Sequence, residues 1–583
     1  MSGYVFPVLK CLKNNTARNM KKLLFLLPMW CLPQLIFAQV CANPQSQIDI
    51  QGNKLKARIL NGGDLFTDFS SGQFIPNPTP GGAKPSTIFT AGLWLGGMDP
   101  GGNLKLAATD YRNNNNFDFS AGPLKPDGTT DANTCSNWDR HFRVTDDRIV
   151  AFLASLPLTA DQLKSLYPEI AGWPGMGNPH FEDVNGFSLP NDLQGLAPFF
   201  DGNGNGIYDP LNGDYPAVLV RGMFPFVPAE IVWCVFNDQK GGGVHSASGG
   251  KPLQMEIQLT TWTFDCPDVP VLDRTLFTVH KFINRASENC DSTFVGIWAD
   301  IDLGCYLDDY VGCSPELSTI FAYNQDAVDG QPGSTCQGAL TFGNTPPVQT
   351  ISFLNRPLDK FVVPNSAGSG NPPGTTDPIS AIQYYNYLAG SWRDGSPITQ
   401  GGNGYGGTVP VNHLYPDDPS DPNGWSMCSE LIPFGDVRLL GSSKFGLLQP
   451  GAVDELVIGW AFHTDPDLPC GLGSAMEEVQ VLRNMYAGGF DLVCSALSTS
   501  VLPKESIRLM PNPASTQVLV QHTDLAPTAI RIVDVQGRVV LEQTAVFGQN
   551  ESTVNIAGLS SGLYTLQCNT HSGVVSQKLA IVR

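Results

Sequence analysis

Oxygen-bearing side chains recur at alternate positions of one short glycine-rich segment, DGNGNGIYDP, which begins at Asp201. Such an alternation suits a hard cation such as calcium, because the chain can wrap the ion while glycine supplies the tight turn. The predicted ligands are Asp201, Asn203, Asn205, the backbone carbonyl of Ile207, Asp209 and Asp214. The alternative is a turn that is held together by its own side-chain hydrogen bonds.

The segment is not a complete EF-hand loop. Asn212 stands at the position where an EF-hand has a bidentate glutamate, and no helix is predicted before the loop. Asp209 or Asp214 would complete the shell instead, as in the calcium loops that resemble dockerin or thrombospondin repeats. The sequence therefore predicts calcium as a structural cofactor, without predicting a calcium switch.

A second acidic segment, WADIDLGCYLDDY, begins at Trp298. If it starts as a strand, Asp300 and Asp302 point to the same face. With Asp308 and Asp309 they give four carboxylates that would bind a second calcium, or supply the acid and the base for glycoside hydrolysis. A solvated loop beside a disulfide is the third interpretation.

Other metal and sugar chemistry has weaker support. The sequence has eight histidines, but it has neither an HExxH nor a CxxC motif, which argues against a zinc hydrolase and against structural zinc. Several tryptophans near glycine, aspartate or proline would stack on sugars if they were exposed, and otherwise belong to the core. These tryptophans are Trp94, Trp173, Trp262, Trp298, Trp392 and Trp425.

The composition indicates what kind of fold must position these residues. Of 583 residues only 15% are charged, the net charge is −20, and there are 61 glycines and 46 prolines. This excludes a coiled coil, a helical bundle and a basic nucleic-acid binder, and it predicts a mainly β protein with long loops. The hydrophobic fraction of 42% excludes a wholly disordered chain.

The N-terminus has the layout of a secretory signal peptide over residues 1–38, with the true start at Met20. A basic pair, Lys21-Lys22, precedes an apolar stretch that is too short and too proline-rich to span a membrane, and cleavage is expected before Gln39. Cys41 suggests a lipoprotein as an alternative, which the bulky Val40 before it disfavours. No other run of the sequence approaches the length needed to span a bilayer.

Export to an oxidising compartment makes disulfides a reasonable use of the cysteines. Removal of residues 1–38 leaves twelve of the 14 cysteines, an even number. The sequence does not determine their connectivity, and Cys305 with Cys313 or Cys470 with Cys494 are plausible local pairs.

The mature chain has two parts that differ in composition and in predicted secondary structure. Residues 39–494 form a β-rich passenger, a multi-domain, β-sandwich-like segment of two or more subdomains, in which only Thr159–Leu166 and Ala475–Tyr486 are predicted helices. A linker at 495–505 precedes residues 506–583, where seven short strands joined by Gly, Asn and Asp turns predict a small β-sandwich.

Residues 506–583 resemble the C-terminal sorting domain of the type IX secretion system of Bacteroidota, in its type A form. The resemblance lies in MPNPA at 510–514, VDVQGRVV at 533–540, IAGLSSGLY at 556–564 and QKLAIVR at 577–583. The residues that carry it are Pro511, Asn512, Pro513, Asp534, Gly537, Arg538, Gly562, Tyr564 and Lys578. The resemblance implies recognition by the type IX translocon and sorting machinery, removal of the domain, and release of the passenger or its attachment to surface lipopolysaccharide.

The passenger also resembles other exported proteins of these bacteria. The matching segments are FTAGLWLGG at 89–97, GDYP at 213–216, DDYVGC at 308–313 and SWRDG at 391–395, and they imply no particular activity.

We therefore predict a secreted or cell-surface protein, stabilised by calcium, with a structural, adhesive or ligand-binding role. Its expected partners are the secretion machinery and either surface lipopolysaccharide or an extracellular glycan, and the acidic balance argues against nucleic acid. The alternative is an extracellular hydrolase that acts on polysaccharide through a carboxylate pair of the second acidic segment. Two carboxyl groups about 5–9.5 Å apart in one cleft would favour the hydrolase, whereas convergence on one oxygen cage would favour calcium.

Overall fold

The structure is a computed structural model, and it describes most of residues 41–582. The residues outside the description are 1–40, 53, 79–81, 83, 112–115, 192–193, 225–226, 240–242, 331–335, 337–339, 367–369, 434, 465, 491–506, 523–526, 534–538, 546–549, 571–572 and 583. The predicted signal peptide and the predicted linker therefore lie outside the described residues.

The passenger is built mainly from antiparallel strands. In chain order they are β1 Gln47–Ile50, β2 Leu55–Leu60, β3 Asp64–Leu65, β4 Phe74–Pro76, β5 Ile88–Met98, β6 Leu104–Ala108, β7 Ser120–Ala121, β8 Phe142–Thr145, β9 Phe199–Phe200, β10 Tyr215–Pro216, β11 Glu230–Asn237, β12 Met255–Thr263, β13 Thr275–Asn284, β14 Cys290–Ile301, β15 Asp309–Ser314, β16 Thr319–Asn324, β17 Val348–Phe353, β18 Lys360–Val362, β19 Val437–Leu448 and β20 Val453–His463.

Helices are short and lie between the strands. They are α1 Ala132–Trp138, α2 Asp146–Ser155, α3 Ala160–Leu166, α4 Pro168–Ala171, α5 Phe181–Asn185, α6 Pro270–Asp273, α7 Ala381–Leu388 and α8 Ala475–Ala487. The two predicted helices are confirmed as α3 and α8, and Thr159 caps α3 in a reciprocal capping box with Gln162. The expectation that no other segment is helical is wrong. Most of the other helices have only four to eight residues, too few to show a clear 3.6-residue period, and the longest of them is α2 with ten residues.

Most strands belong to two nine-stranded sheets. Sheet one has the order β1-β2-β3-β5-β14-β19-β18, with β4 beside β2 and β6 beside β5. Sheet two has the order β15-β16-β17-β20-β13-β12-β11-β7, with β8 beside β11. One hydrophobic cluster draws residues from both sheets, and within it the rings of Phe66 and Trp460 lie 5.0 Å apart. The predicted β-sandwich character of the passenger is thus confirmed.

The outer face of each sheet is also covered. Helix α7 packs on sheet one, where Gly296 of β14 leaves room for Leu388. A second hydrophobic cluster lies on sheet two, where Trp233 and Trp262 meet residues of helices α1–α6 and α8. Burial on both faces explains why β11 reads as a continuous apolar run, Ile231–Phe236, instead of an alternating pattern.

The predicted disulfide pairs are wrong. Cys305 lies in the turn after β14 and bonds to Cys336, whereas Cys313 is a buried free thiol on β15. Cys470 bonds to Cys428, and its predicted partner Cys494 lies outside the described residues. The third described bridge joins Cys41 to Cys135, and the other free thiols among the described residues are Cys234, Cys290 and Cys568, all buried. Sequence proximity misleads here, because the fold brings together cysteines that are 31 to 94 residues apart in the chain.

The C-terminal segment forms the predicted small β-sandwich. Its strands are β21 Arg508–Met510, β22 Gln517–Gln521, β23 Pro527–Val533, β24 Val539–Thr544, β25 Glu551–Asn555, β26 Gly562–Thr570 and β27 Gly573–Ile581. They make a sheet of order β21-β22-β25 and a sheet of order β24-β23-β26-β27, which enclose their own hydrophobic cluster. In the described part of the chain no helix is long and apolar enough to cross a membrane.

Candidate metal centres

The first candidate centre is the loop of residues 201–214, which joins the two-residue strands β9 and β10. The base of the loop is held by Phe200 and Tyr215, whose rings stack at 4.9 Å. Gly204 and Gly206 have positive φ angles of 72° and 75°, which the tight turn requires. All six predicted ligands therefore belong to one compact loop.

Asp201 organises the first half of this loop. Its Oδ1 accepts hydrogen bonds from the backbone N–H groups of Gly204 at 2.7 Å and Asn205 at 3.2 Å. Its Oδ2 accepts from the N–H of Gly206 at 2.7 Å. Asn205 Oδ1 accepts in turn from the N–H of Ile207 at 2.7 Å.

Asp209 and Asp214 close the second half of the loop. The side-chain amides of Asn205 and Asn212 donate to Asp209 Oδ2 at 3.2 and 3.0 Å. The carboxylate of Asp214 is buried and accepts from the backbone N–H groups of Gly202 and Asp209, both at 2.9 Å. Burial, together with the negative charges of Asp209 and Asp201, raises the pKa of Asp214 to about 6, although the two backbone hydrogen bonds oppose this shift.

These contacts agree with both interpretations of the loop. The carboxylates are satisfied by donors of the loop itself, as expected for a turn held by its own hydrogen bonds. Yet the segment 201–214 contains three carboxylates and neither lysine nor arginine, so no side chain of the loop balances their charge. Calcium at this loop remains a prediction.

The second candidate centre is an acidic trio of Asp300, Asp302 and Asp436 at one end of sheet one. Strands β14 and β19 are antiparallel and pair Ile301 with Val437, so the residues just beyond this pair, Asp302 and Asp436, come together. One carboxylate oxygen of each member of the trio lies within 4.8 Å of the others.

Among the described residues, Tyr111 and Arg438 contact the acidic trio. The hydroxyl of Tyr111 donates to Asp300 Oδ2 at 2.8 Å and accepts a hydrogen bond from Arg438 Nε. Arg438 also donates through Nη2 to Asp436 Oδ2 at 2.8 Å, and it lies 4.0 Å from Asp377. The second oxygen of Asp300, Oδ1, is buried and has no hydrogen-bond partner.

The electrostatics of the trio follow from this crowding. Burial raises the pKa of Asp302 to about 7, helped by the charge of Asp436 and opposed by Arg438. Burial also raises the pKa of Asp300 well above its usual range, and the neighbouring Asp302 adds to this effect. One arginine therefore does not neutralise the local negative charge.

The structure corrects the predicted grouping of the second acidic segment. Asp308 and Asp309 do not join Asp300 and Asp302: Asp309 accepts from the N–H of Leu303 at 2.9 Å, and Asp308 accepts from Gly330 at 2.9 Å. Asp308 lies instead with Asp329 and Cys305, whose sulfur is unavailable to a metal because it forms a disulfide. Sequence reasoning missed Asp436, Arg438 and Tyr111, because only the fold brings these distant residues beside Asp300 and Asp302.

The tryptophans predicted as possible sugar platforms are core residues. Each is at most 5% exposed, so none presents a ring to solvent. The six residues are Trp94, Trp173, Trp262, Trp298, Trp392 and Trp425.

The C-terminal motifs have structural roles where they are described. Asn512, between Pro511 and Pro513, donates to the carbonyl of Lys578 at 2.8 Å and accepts from the N–H of Ala580 at 2.9 Å. Gly562 begins β26, and the hydroxyl of Tyr564 donates to the carbonyl of Ser560 at 2.9 Å. The remaining predicted sorting residues lie outside the described residues, namely Asp534, Gly537 and Arg538.

Comparison with known proteins identifies the C-terminal segment. Residues 508–582 match the family model of the secretion system C-terminal sorting domain. No curated protein is similar to the chain. A solved polysaccharide lyase structure is similar at a TM-score of 0.17 and 8% identity, over 56% of this chain and 34% of the lyase. The chain thus spans about a third of that structure, and the likeness is too weak to carry a functional argument.

Proposed function

Since the chain ends in a type IX secretion sorting domain and is exported to the cell surface or the medium, we propose that its passenger is a calcium-stabilised binding or structural protein. The sorting domain addresses the chain to the type IX machinery. The passenger is the part that acts outside the cell, as a structural, adhesive or ligand-binding sandwich. Surface lipopolysaccharide and extracellular glycan are its proposed partners.

The crowding of Asp201, Asp209 and Asp214 in one loop is the observation that supports this proposal. Asp214 is buried beside the other two carboxylates, and the loop has no basic side chain to compensate them. A calcium ion bound by these carboxylates, by the amide oxygens of Asn203 and Asn205 and by the carbonyl of Ile207 would supply that charge. The ion would replace hydrogen bonds that the loop now makes to itself.

The hydrolase alternative has less support. Its best carboxylate pair, Asp300 and Asp302, has oxygens within 4.8 Å of each other and of Asp436. The two carboxyl groups of a retaining glycosidase stand about 5–5.5 Å apart, and those of an inverting enzyme stand about 6.5–9.5 Å apart. Convergence of three carboxylates favours a cation over an acid–base pair.

Calcium binding to the full mature chain, residues 39–583, tests the proposal. We expect isothermal titration calorimetry to show that Asp201→Ala binds one calcium fewer per chain than the unmodified protein. The matched control is Asp99→Ala, which removes an aspartate that also organises a turn, through hydrogen bonds to Gly101 and Asn103. This control should bind as many calcium ions as the unmodified chain.

Loss of a calcium ion in Asp201→Ala should also reduce the rise in melting temperature that calcium produces, because a ligand of the native state stabilises it by mass action. Unchanged stoichiometry in Asp201→Ala would contradict the assignment of the loop and leave a turn held by its own hydrogen bonds.

A further inference from the structure

The end of sheet one brings carboxylates together from segments that are far apart in sequence. Asp300 is the penultimate residue of β14, Asp302 follows that strand, and Asp436 immediately precedes β19. Their oxygens lie within 4.8 Å of one another. Calcium is bound by oxygens at about 2.3–2.6 Å, so oxygens on opposite sides of one ion stand roughly 4.6–5.2 Å apart. The three carboxylates therefore fit around a single ion.

An independent observation points to a ligand at this place. Asp300 is 5% exposed, and its Oδ1 is buried without a hydrogen-bond partner, although a buried carboxylate oxygen normally has one. Its other oxygen is already held by Tyr111. The free oxygen belongs to a carboxylate that lies against those of Asp302 and Asp436, where a cation would satisfy it.

The charges near the trio lead to the same conclusion. Asp377 adds a fourth carboxylate, and Arg438 is the basic residue that contacts the group. Arg438 is directed to Asp436 and to the hydroxyl of Tyr111, so it does not pair with Asp302. Arg438 therefore faces the three carboxylates of the trio as well as Asp377, whose carboxylate is also influenced by the charge of Arg393.

We propose that Asp300, Asp302 and Asp436 bind a calcium ion that joins the end of β14 to the start of β19. The ligands are oxygens without histidine or a free thiol, which selects a hard cation over zinc or copper. The site is separate from the loop of residues 201–214, and it does not depend on calcium binding there. Its role is to stabilise the pairing of β14 with β19 at this end of sheet one, where the carboxylates of the two strands would otherwise repel each other.

Terbium luminescence offers a direct readout, because terbium occupies calcium sites and is excited by nearby aromatic rings. The ring of Trp298 lies 5.0 Å from that of Tyr111, which is hydrogen-bonded to Asp300. We expect terbium emission on tryptophan excitation of the full mature chain, and we expect calcium to displace it. Trp298→Phe should lower this emission at least twofold while leaving the number of bound calcium ions unchanged.

The ligand variants are Asp302→Asn and Asp436→Asn, and each should bind one calcium fewer per chain in calorimetry. The matched control is Asp291→Asn, which changes an exposed aspartate at the opposite end of the same strand. In excess chelator Asp302→Asn should melt at or above the temperature of the unmodified chain, because a crowded charge has been removed. In calcium the order should reverse. Asp436→Asn also loses a charged partner of Arg438, so only its calcium stoichiometry is compared.

This reversal separates a cation site from a merely structural cluster, which would shift melting equally in both conditions. Unchanged calcium stoichiometry in both ligand variants would overturn the proposal. Because Asp201→Ala tests the loop and Asp302→Asn tests the trio, failure of either site is recognised without reference to the other.

Discussion

At the scale of single residues, the spacing of candidate ligands in the sequence predicts one of the two candidate centres but not the other. The ligands predicted between Asp201 and Asp214 are local in sequence, and the structure places them in one loop. Asp436 is separated from Asp302 by more than a hundred residues, and nothing in its surroundings marks it as a partner. Local patterns can be found without a structure, whereas a site assembled by strand pairing cannot.

His280 offers a prediction at the same scale. It is 1% exposed on β13, and burial lowers its pKa to about 3. The folded chain therefore keeps this ring neutral, whereas the unfolded chain protonates it below about pH 6.5. The contribution of the neutral ring to the unfolding free energy is fully present above about pH 6.5. It is lost as the pH falls from about 6.5 towards 3.

We expect His280→Leu to remove this loss. Below pH 6.5 the unfolding free energy of the unmodified chain should fall relative to the variant by up to about 1.4 kcal/mol per pH unit. Urea unfolding at pH 7.0 and at about pH 5.5 measures the difference. Parallel behaviour of the two proteins would show that the ring is protonated in the folded state.

At the scale of elements, hydrophobic alternation and turn residues predict the secondary structure more reliably than residue spacing predicts the sites. All seven C-terminal strands lie where short β-branched runs between turn residues predict them, and Thr159 marks the start of α3. Helix α7 was missed because its sequence, AIQYYNYL, is dominated by aromatic side chains that bury against sheet one. Tertiary packing stabilises this helix, and its intrinsic propensity is modest.

Asn512 is the element-scale test of the sorting domain. Its side-chain amide ties the segment after β21 to β27 through Lys578 and Ala580. Asn512→Ala removes both hydrogen bonds, so we expect at least tenfold faster hydrogen exchange at the Ala580 amide, as measured by mass spectrometry of the C-terminal peptide. Asn555→Ala, which removes one hydrogen bond to Ala557 in the same domain, is the control and should leave that amide protected. If the Ala580 amide exchanged at the same rate in Asn512→Ala as in the unmodified chain, the hydrogen bonds of Asn512 would not be needed to keep β27 in place.

At the scale of the whole molecule, export and stability belong to different parts of the chain. The family match is confined to residues 508–582, and both candidate calcium centres lie in the passenger. The sequence predicts the export route from ordered C-terminal motifs, but the passenger has no comparable motif for an activity. Its sandwich is held by a core shared between two sheets, and such a core is compatible with many functions.

Deletion of residues 506–583 should therefore abolish surface delivery and leave the passenger folded. In the native bacterium we expect the shortened chain to remain inside the outer membrane, as measured by cell fractionation and by protease accessibility on intact cells. Full-length Asp201→Ala should reach the surface in normal amount, because the loop is not part of the sorting domain that the secretion machinery recognises. Surface exposure of the shortened chain would show that the passenger carries its own address.

Four buried thiols among the described residues have a consequence for how an exported chain matures. Cys234, Cys290, Cys313 and Cys568 are buried, and burial raises the pKa of each thiol. Thiolate is the species that exchanges with disulfides, so these cysteines are withdrawn from the oxidising surroundings by the fold itself. Burial in the sandwiches thus keeps these four thiols out of disulfide exchange, and it leaves the cysteines outside the strands to pair with one another.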